Sequence, residues 1–171
     1  MPNPIYVWFE GTKQGAYGGW GSWAGEDDQK GREGSSLVNQ FEHEVTSPRD
    51  TATGLATGMR VHRPVRIVKR IDKASPRIYQ SLVQNEHLKK VEFKWYRIAQ
   101  SGAGGQEHYF TTLLEDAVIA AVKEWFPLTV DEDYDHYSHF EDVSIVYRRI
   151  TWTWQSGGVT CTDDWQERDT A

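Results

Sequence analysis

Apolar and polar residues alternate with a period of two along much of this chain, and that alternation restricts it to strand-based folds. The clearest case is RVHRPVRIVKRI, residues 60–71, in which most even positions are basic and most odd positions are apolar. Such a pattern predicts one β-strand with an apolar face and a basic face. The segment LVNQFEHEV, residues 37–45, alternates similarly and predicts a strand with a polar, acidic face.

Other segments extend this β-rich pattern. Strands are predicted at 4–11, 88–98, 108–114, 141–154 and 159–165. Eight Trp, eight Tyr and six Phe also favour strands, because aromatic side chains fit a half-buried sheet surface. Residues 115–126 have the alanines of a helix, but their position among strands favours another strand.

The strongest helix signal is IDKASPRIYQSLVQN, residues 71–85. Ser75 is predicted as the N-cap, Pro76 as the first helical residue and Asn85 as the end of the helix. Its buried stripe is predicted to consist of Ile78, Tyr79, Leu82 and Val83.

No repeat or linker divides the 171 residues, so we expect one domain over 1–171. Its predicted class is mainly β, a two-sheet barrel or sandwich with one short flanking α-helix.

The charge balance and the single cysteine limit the function classes. Nineteen basic and twenty-five acidic residues give a net charge of −6, which repels nucleic acid at long range. Cys161 has no cysteine to pair with in the chain. No run of about 18 apolar residues predicts membrane insertion, and MPNPIYVWFEGTK lacks the pattern of a secretory signal.

Residues 131–142, DEDYDHYSHFED, are the best candidate for a metal site. Carboxylates with His136 and His139 could bind a cation, but the spacing matches neither an EF-hand nor a zincin. A solvated acidic loop is the favoured interpretation, and a metal-dependent enzyme is the alternative. The sequence contains no GxSxG elbow and no phosphate-binding glycine loop, so we expect no catalytic residues.

Nucleic-acid binding is a second alternative, based on the basic strand. It offers Arg60, Arg66 and Arg70, with His62 only partly charged near neutrality. Strongly salt-dependent binders make about 6–10 phosphate contacts, so one chain supplies too few.

The segment 46–58, TSPRDTATGLATG, is long for a loop in a compact domain, and such loops tend to be functional or disordered. In the glycine-rich stretch 11–36, Trp20 and Trp23 are predicted to anchor a loop on the domain.

Several segments, taken in order, resemble the haemolysin-coregulated protein family, Hcp, of bacterial type VI secretion. They include MPNPIYVWFEGTKQG, DKASPRIY, LKKVEFKWYR, HYFTTLLEDA, YRRITWTW and DDW. Within 37–64 the matching positions are Val38, Phe41, His43, Val45, Thr46, Pro48, Asp50, Gly54, Gly58, Arg60, Val61, His62 and Pro64.

The resemblance implies a β-barrel that assembles as homohexameric rings, which stack into a tube without catalytic residues or cofactors. It also implies partners: a contractile sheath, a spike protein and small effector proteins in the lumen. Localisation would be cytoplasmic in a Gram-negative cell, followed by export without a signal peptide.

Two sets of residues are predicted to carry the assembly. The ring-stacking set lies in the long loop: Thr46, Ser47, Pro48, Arg49, Asp50, Thr53, Gly54, Thr57 and Gly58. The set predicted at a subunit interface or at the lumen is charged: Glu42, Glu44, Arg60, His62, Arg66 and Arg70. The alternatives are a floppy surface loop for the first set and a solvated sheet edge for the second.

Overall fold

A computed structural model describes residues 3–17, 30–102 and 104–165. The stretch containing Trp20 and Trp23 lies outside these residues. The strands are β1 Ile5–Gly11, β2 Gly15–Ala16, β3 Ser36–Glu42, β4 Val45–Thr46, β5 Val61–His62, β6 Val65–Arg70, β7 His87–Ile98, β8 Gln106–Trp125, β9 Phe140–Trp154 and β10 Val159–Asp164. The α-helix is α1 Ser75–Val83, and a 3-10 helix covers Glu132–Tyr134.

Six antiparallel strands close into a barrel. Their order is β1–β3–β6–β9–β8–β7, and β7 pairs again with β1. Strand β10 pairs with the second half of β9, whereas β6 pairs with its first half. Strands β4 and β5 form a separate two-stranded sheet. The predicted class, a mainly β barrel with one flanking α-helix, is confirmed.

The barrel is filled by apolar side chains that alternate along its strands. Val7 and Phe9 of β1, Val91 and Phe93 of β7, and Ile145 of β9 are all buried. They belong to one cluster that also receives Ile78 from α1. Removing this apolar surface from water, at roughly 25 cal/mol per Å², is the main force that closes the barrel.

Residues 60–71 do not form one strand, so that prediction was wrong. The chain leaves β5 after His62 and enters β6 at Val65. Pro64 lies between them and has no N–H to donate to a ladder. The N–H of Arg63 donates instead to the carbonyl of Glu44, at 3.0 Å. Val61, predicted on the apolar face, is exposed.

The pairing of the strands tests two further predictions, the strand over 37–45 and the ambiguous segment 115–126. The strand predicted over 37–45 ends at Glu42, and Val45 already belongs to β4, so that boundary was wrong. The ambiguous segment 115–126 is strand up to Trp125, as favoured, and it continues 108–114 without a break as β8. Ala117 pairs with Leu88 of β7 and with Tyr147 of β9, and Ala121 pairs with Ser144 of β9, so the ladders of the sheet hold these alanines in a strand.

Helix α1 begins with Ser75 inside it and with Ala74 as the N-cap. The prediction of Ser75 as N-cap was therefore wrong, whereas Pro76 does lie in the first turn. Val83 is exposed, so it does not belong to the buried stripe, in which Ile78 is fully covered.

The Ser75 hydroxyl forms hydrogen bonds within a buried cluster of charges, and this explains why it does not cap the helix. Lys69 Nζ lies 2.6 Å from Glu141 Oε1 and 2.9 Å from Asp72 Oδ1. The Ser75 hydroxyl donates to Glu141 at 2.8 Å and accepts from the N–H of Asp72. The side chains of Lys69 and Glu141 are 0% exposed. This sealed ion cluster (Lys69, Asp72, Ser75 and Glu141) fastens the start of α1 to β6 and β9.

Candidate interaction surface at the arm and its base

The predicted loop 46–58, which we call the arm, has hydrogen bonds of its own. Asp50 N–H donates to the Leu55 carbonyl at 2.8 Å, and Gly54 N–H donates to the Asp50 carbonyl at 2.8 Å. Further along, Thr57 N–H donates to the Pro48 carbonyl at 2.9 Å. These bonds fold the arm back on itself beyond the β4–β5 pair.

The arm has a tight tip. The Asp50 carboxylate accepts from the Ala52 N–H at 3.0 Å and from the Thr53 hydroxyl at 2.7 Å. The pKa of Asp50 is lowered, first by the Ala52 hydrogen bond and then by Thr53. Gly54 has φ +71°, a left-handed conformation that favours glycine. Arg49 Nη1 donates to the Gly54 carbonyl at 3.1 Å and fixes this turn from the side.

Apolar side chains lie on the surface of the arm and beside it. Leu55 is 68% exposed, Met59 is 55% exposed and Val61 is 47% exposed. Scattered exposed apolar residues are normal, but here three of them lie on or next to one ordered projection. Such a projection is suited to contact with another protein surface.

A groove of about 740 Å³ opens at the base of the arm. It is lined by Phe41, Glu42, His43, Glu44, Arg63, Pro64, Arg66, Trp95 and Ser144. Arg66 pairs with Glu42 at 3.4 Å and with Asp142 at 2.5 Å, and Arg63 pairs with Glu44 at 3.6 Å. The groove therefore has aromatic walls and a rim of paired charges.

The charged residues predicted from the sequence separate into three places. Glu42, Glu44 and Arg66 belong to the rim, where β3 and β6 are neighbours in the same chain. Arg60 and His62 reach towards β10. Arg70 ends β6 at the opposite end of that strand. One continuous basic face does not form, because the chain breaks at Pro64.

A hydrogen-bonded chain joins the base of the arm to the barrel. The Tyr147 hydroxyl lies 2.6 Å from His43 Nε2 and 2.7 Å from His62 Nδ1. His62 Nε2 lies 2.6 Å from Asp163 Oδ2, and Arg60 contacts both oxygens of Asp163 at 2.5 Å. We call His43, His62, Tyr147 and Asp163 the histidine clamp.

The surroundings shift the titration of three clamp groups. Burial raises the pKa of the Tyr147 hydroxyl, and the charge of Asp163 raises it further. Burial lowers the pKa of His43, and the neighbouring His62 lowers it further. The hydrogen bond from Arg60 is the largest of several causes that hold the pKa of Asp163 below its usual value. The clamp is thus favoured with an ionised Asp163 and an uncharged His43.

Sequence reasoning missed the clamp, apart from His62. Its central residue, Tyr147, is 104 positions from His43 and 85 from His62, so no local pattern connects them. The available signal was two histidines flanking the long loop.

The acidic segment 131–142 is an exposed loop around the 3-10 helix, except at its end. There Glu141 pairs with Lys69 and Asp142 pairs with Arg66. Among the described residues, no group of three or more His, Cys, Asp or Glu side chains could hold a metal ion. Across the same part of the chain, no helix has the length and apolar character to cross a membrane.

The fold is a closed six-stranded barrel with an arm that exposes apolar side chains. Exposed apolar surface of this kind is typical of proteins that bind other proteins. A family model described as "Type VI secretion system effector, Hcp" matches residues 6–154. The chain is 45% identical over 170 residues to the "Major exported protein" of Pseudomonas aeruginosa, covering 97% of each. It belongs to the Hcp family.

Solved structures agree with this assignment. A crystal structure of an Hcp protein matches with a TM-score of 0.87 and 32% identity, over 98% of this chain and 100% of that one. The secreted protein Hcp3 from Pseudomonas aeruginosa matches with a TM-score of 0.76 and 40% identity, over 97% of this chain and 100% of that one.

Proposed function

We propose that this protein is the structural subunit of a type VI secretion tube, closing into hexameric rings that stack. The observation that carries the proposal is the match to an Hcp crystal structure, which covers 98% of this chain with a TM-score of 0.87 and 32% identity. The high identity to a major exported protein supports export of this chain too. The family is one of secreted tube proteins rather than of enzymes, and the proposal includes no catalytic residue and no cofactor.

Ring stacking is assigned to the arm. Three backbone hydrogen bonds within the arm already restrict its conformation, which reduces the entropy that it would lose on contact with a neighbouring ring. The apolar surface available for stacking comes from Leu55 on the arm and from Met59 beside it, and both side chains are exposed. Burying them against the next ring would contribute roughly 25 cal/mol per Å² of apolar surface.

The rim charges are assigned to register between subunits or to the lumen wall. Glu42, Glu44 and Arg66 are exposed, so a neighbouring subunit could exchange partners with them. Exposed pairs contribute only about 0.2–1 kcal/mol each, so they select a geometry and do not supply the adhesion. A closed ring needs two different, complementary patches on each subunit, and the groove is one candidate patch.

The same proposal covers the partners and the route of export. The subunit would be made in the cytoplasm of a Gram-negative bacterium and leave through the type VI apparatus. A contractile sheath would surround the tube, a spike protein would tip it, and small effector proteins would travel in its lumen.

Size-exclusion chromatography with light scattering tests ring formation. We expect a particle with six times the 19.7-kDa subunit mass. A monomer at high subunit concentration would contradict the proposal.

Electron microscopy of an arm variant tests stacking. Replacing residues 48–58 with a short Gly-Ser link should leave rings and abolish tubes. Leu55→Ser should shorten tubes, whereas the matched control Leu128→Ser, at a leucine that is 75% exposed on the 126–139 loop, should not. Normal stacking of both arm variants would refute the role of the arm.

A further inference from the structure

The arm is joined to the barrel by a sheet of only two short strands. Hydrogen bonds between side chains at the base of the arm are therefore needed to hold it in place. Strands β4 and β5 contribute two residues each, with Val45 opposite His62 and Thr46 opposite Val61. His43 precedes the arm and His62 follows it. Both imidazoles contact the single hydroxyl of Tyr147 on β9, so one oxygen atom fastens both ends of the arm.

All three contacts within the clamp can be hydrogen bonds when both histidines are neutral. His43 Nε2–H can donate to the Tyr147 oxygen, whose hydroxyl hydrogen donates to His62 Nδ1. The opposite nitrogen, His62 Nε2–H, then donates to Asp163. Every donor has one acceptor along this chain. The direction of the chain follows from Asp163, because an ionised carboxylate can only accept.

One added proton can be accommodated, but two cannot. If His62 is protonated, the Tyr147 hydroxyl can turn and donate to His43 Nε2, provided that His43 moves its hydrogen to Nδ1. If both are protonated, two N–H donors face the hydroxyl and its own hydrogen loses its acceptor. Two positive charges then share one buried oxygen, at a site where the side chain of His62 is only 3% exposed.

The surrounding charges do not compensate for the second proton. Asp163 on β10 is already paired with Arg60, and Asp164 is paired with Arg148 of β9. On the arm side, Glu44 pairs with Arg63. The nearby rim holds Glu42, Arg66 and Asp142, where Arg66 pairs with both acids. Each of these anions is therefore paired with an arginine, and acidification adds positive charge where the anions are already engaged.

We propose that the histidine clamp is an acid-sensitive fastening of the arm, which holds both of its ends near neutral pH and releases them when both imidazoles carry a proton. The lowered pKa of His43 is consistent with a neutral resting state. The consequence for tubes rests on the proposed function: if the arm stacks rings, acidification loosens the stack while the barrel stays folded.

Hydrogen exchange of the full-length chain, followed by mass spectrometry, tests the clamp. It is measured at about pH 7.5 and about pH 4.5, on either side of the ordinary imidazole pKa, and corrected for intrinsic exchange. The samples are dilute, and light scattering detects no tubes in them. Amides of residues 44–63 should lose about tenfold in protection at the lower pH, as expected for the loss of a stabilising hydrogen bond. Peptides from β7 serve as the internal control and should not change.

Two variants make the test specific. His43→Gln keeps an N–H donor for Tyr147 but cannot gain a proton, so it should retain the protection at neutral pH and lose the acid response. Tyr147→Phe removes the shared hydroxyl, so its arm should exchange rapidly at both pH values. The exchange of the β7 peptides shows whether Tyr147→Phe is folded. If Tyr147→Phe is unfolded, the acid response of His43→Gln alone tests the clamp.

The outcomes separate the clamp from the stacking role. Equal arm protection at both pH values, or an unchanged acid response in His43→Gln, would overturn the clamp whatever the tubes do. An arm that loosens in acid while preformed tubes persist at the same pH would support the clamp and overturn stacking by the arm.

Discussion

The sealed ion cluster and the histidine clamp are two polar networks among the described residues, and they are built differently. The sealed ion cluster joins α1 to β6 and β9 with full charges, and its Lys69 and Glu141 have no exposure to solvent. The histidine clamp joins the arm to β9 and β10 through two imidazoles and a hydroxyl, with its ion pair at the outer end. Asp163 of that ion pair is 23% exposed.

The difference explains what each network can do. A buried ion pair is strongly destabilising when one partner is lost, so the sealed cluster holds a fixed part of the fold. An imidazole can gain a proton at mild pH, whereas the charges of the sealed cluster stay fixed, so the proposed acid response belongs to the clamp. The fixed network supports the helix, and the adjustable one supports the part of the molecule proposed to meet other subunits.

The largest expected effect tests the sealed cluster. Lys69→Met leaves Glu141 buried without its cation, and we expect a loss of about 3–5 kcal/mol in the free energy of unfolding. Urea denaturation at fixed subunit concentration measures it, since assembly also contributes to stability.

The double variant Lys69→Met with Glu141→Leu is the control. It removes both charges, so it should recover most of the loss. If the single variant lost no more than the double variant, the cluster would not be an energetically coupled pair.

The next effect tests the clamp at neutral pH. Tyr147→Phe leaves two imidazole nitrogens without a partner in a partly buried site, which should cost about 1–3 kcal/mol in urea denaturation. The matched control is Tyr109→Phe, at a half-buried tyrosine of β8 whose ring packs against Trp154. A loss in the control as large as that in Tyr147→Phe would indicate that the clamp hydroxyl contributes no more than an ordinary tyrosine hydroxyl.

A smaller effect concerns pH. Because the folded pKa of His43 is lowered, its contribution to stability is complete above the ordinary value of about 6.5 and is lost as pH falls through the lowered pKa. The free energy of unfolding should decline by at most about 1.4 kcal/mol per pH unit for this proton. Urea titrations between about pH 7.5 and about pH 4.5 measure the slope, and His43→Gln should flatten it.

The smallest effect on folding is expected at the groove rim. Arg66→Glu breaks two pairs at the surface, which contribute little to folding, and places three acids together. Ring formation should weaken, most at low salt, because screening reduces the repulsion. An oligomer unchanged by light scattering at low and high salt would remove Arg66 from the subunit contact.

Sequence patterns predicted most of the strands because the barrel interior selects apolar side chains at every second position. They failed where tertiary contacts overrule local preference. Pro64 divides the strand predicted over 60–71, and the buried charge of Lys69 occupies a position where alternation predicts an apolar residue. Ser75 is a good N-cap by propensity, but Glu141 and Lys69 engage its hydroxyl.

The candidate site was predicted only in part. The long loop was singled out by its length and composition, and the structure gives it internal hydrogen bonds that composition does not reveal. Glu42 and Arg66 were expected to belong to separate faces, yet the pairing of β3 with β6 places them opposite each other.

By itself, the sequence determined the strand-rich class, the helix after residue 74 and the family resemblance, because alternation, propensity and ordered motifs are local or linear. Only the tertiary structure decided which polar groups meet. Barrel closure brings Tyr147 between His43 and His62, and Glu141 against Lys69. These contacts depend on the order and register of the strands. The packing of the whole barrel selects both, and no short stretch of the chain encodes them.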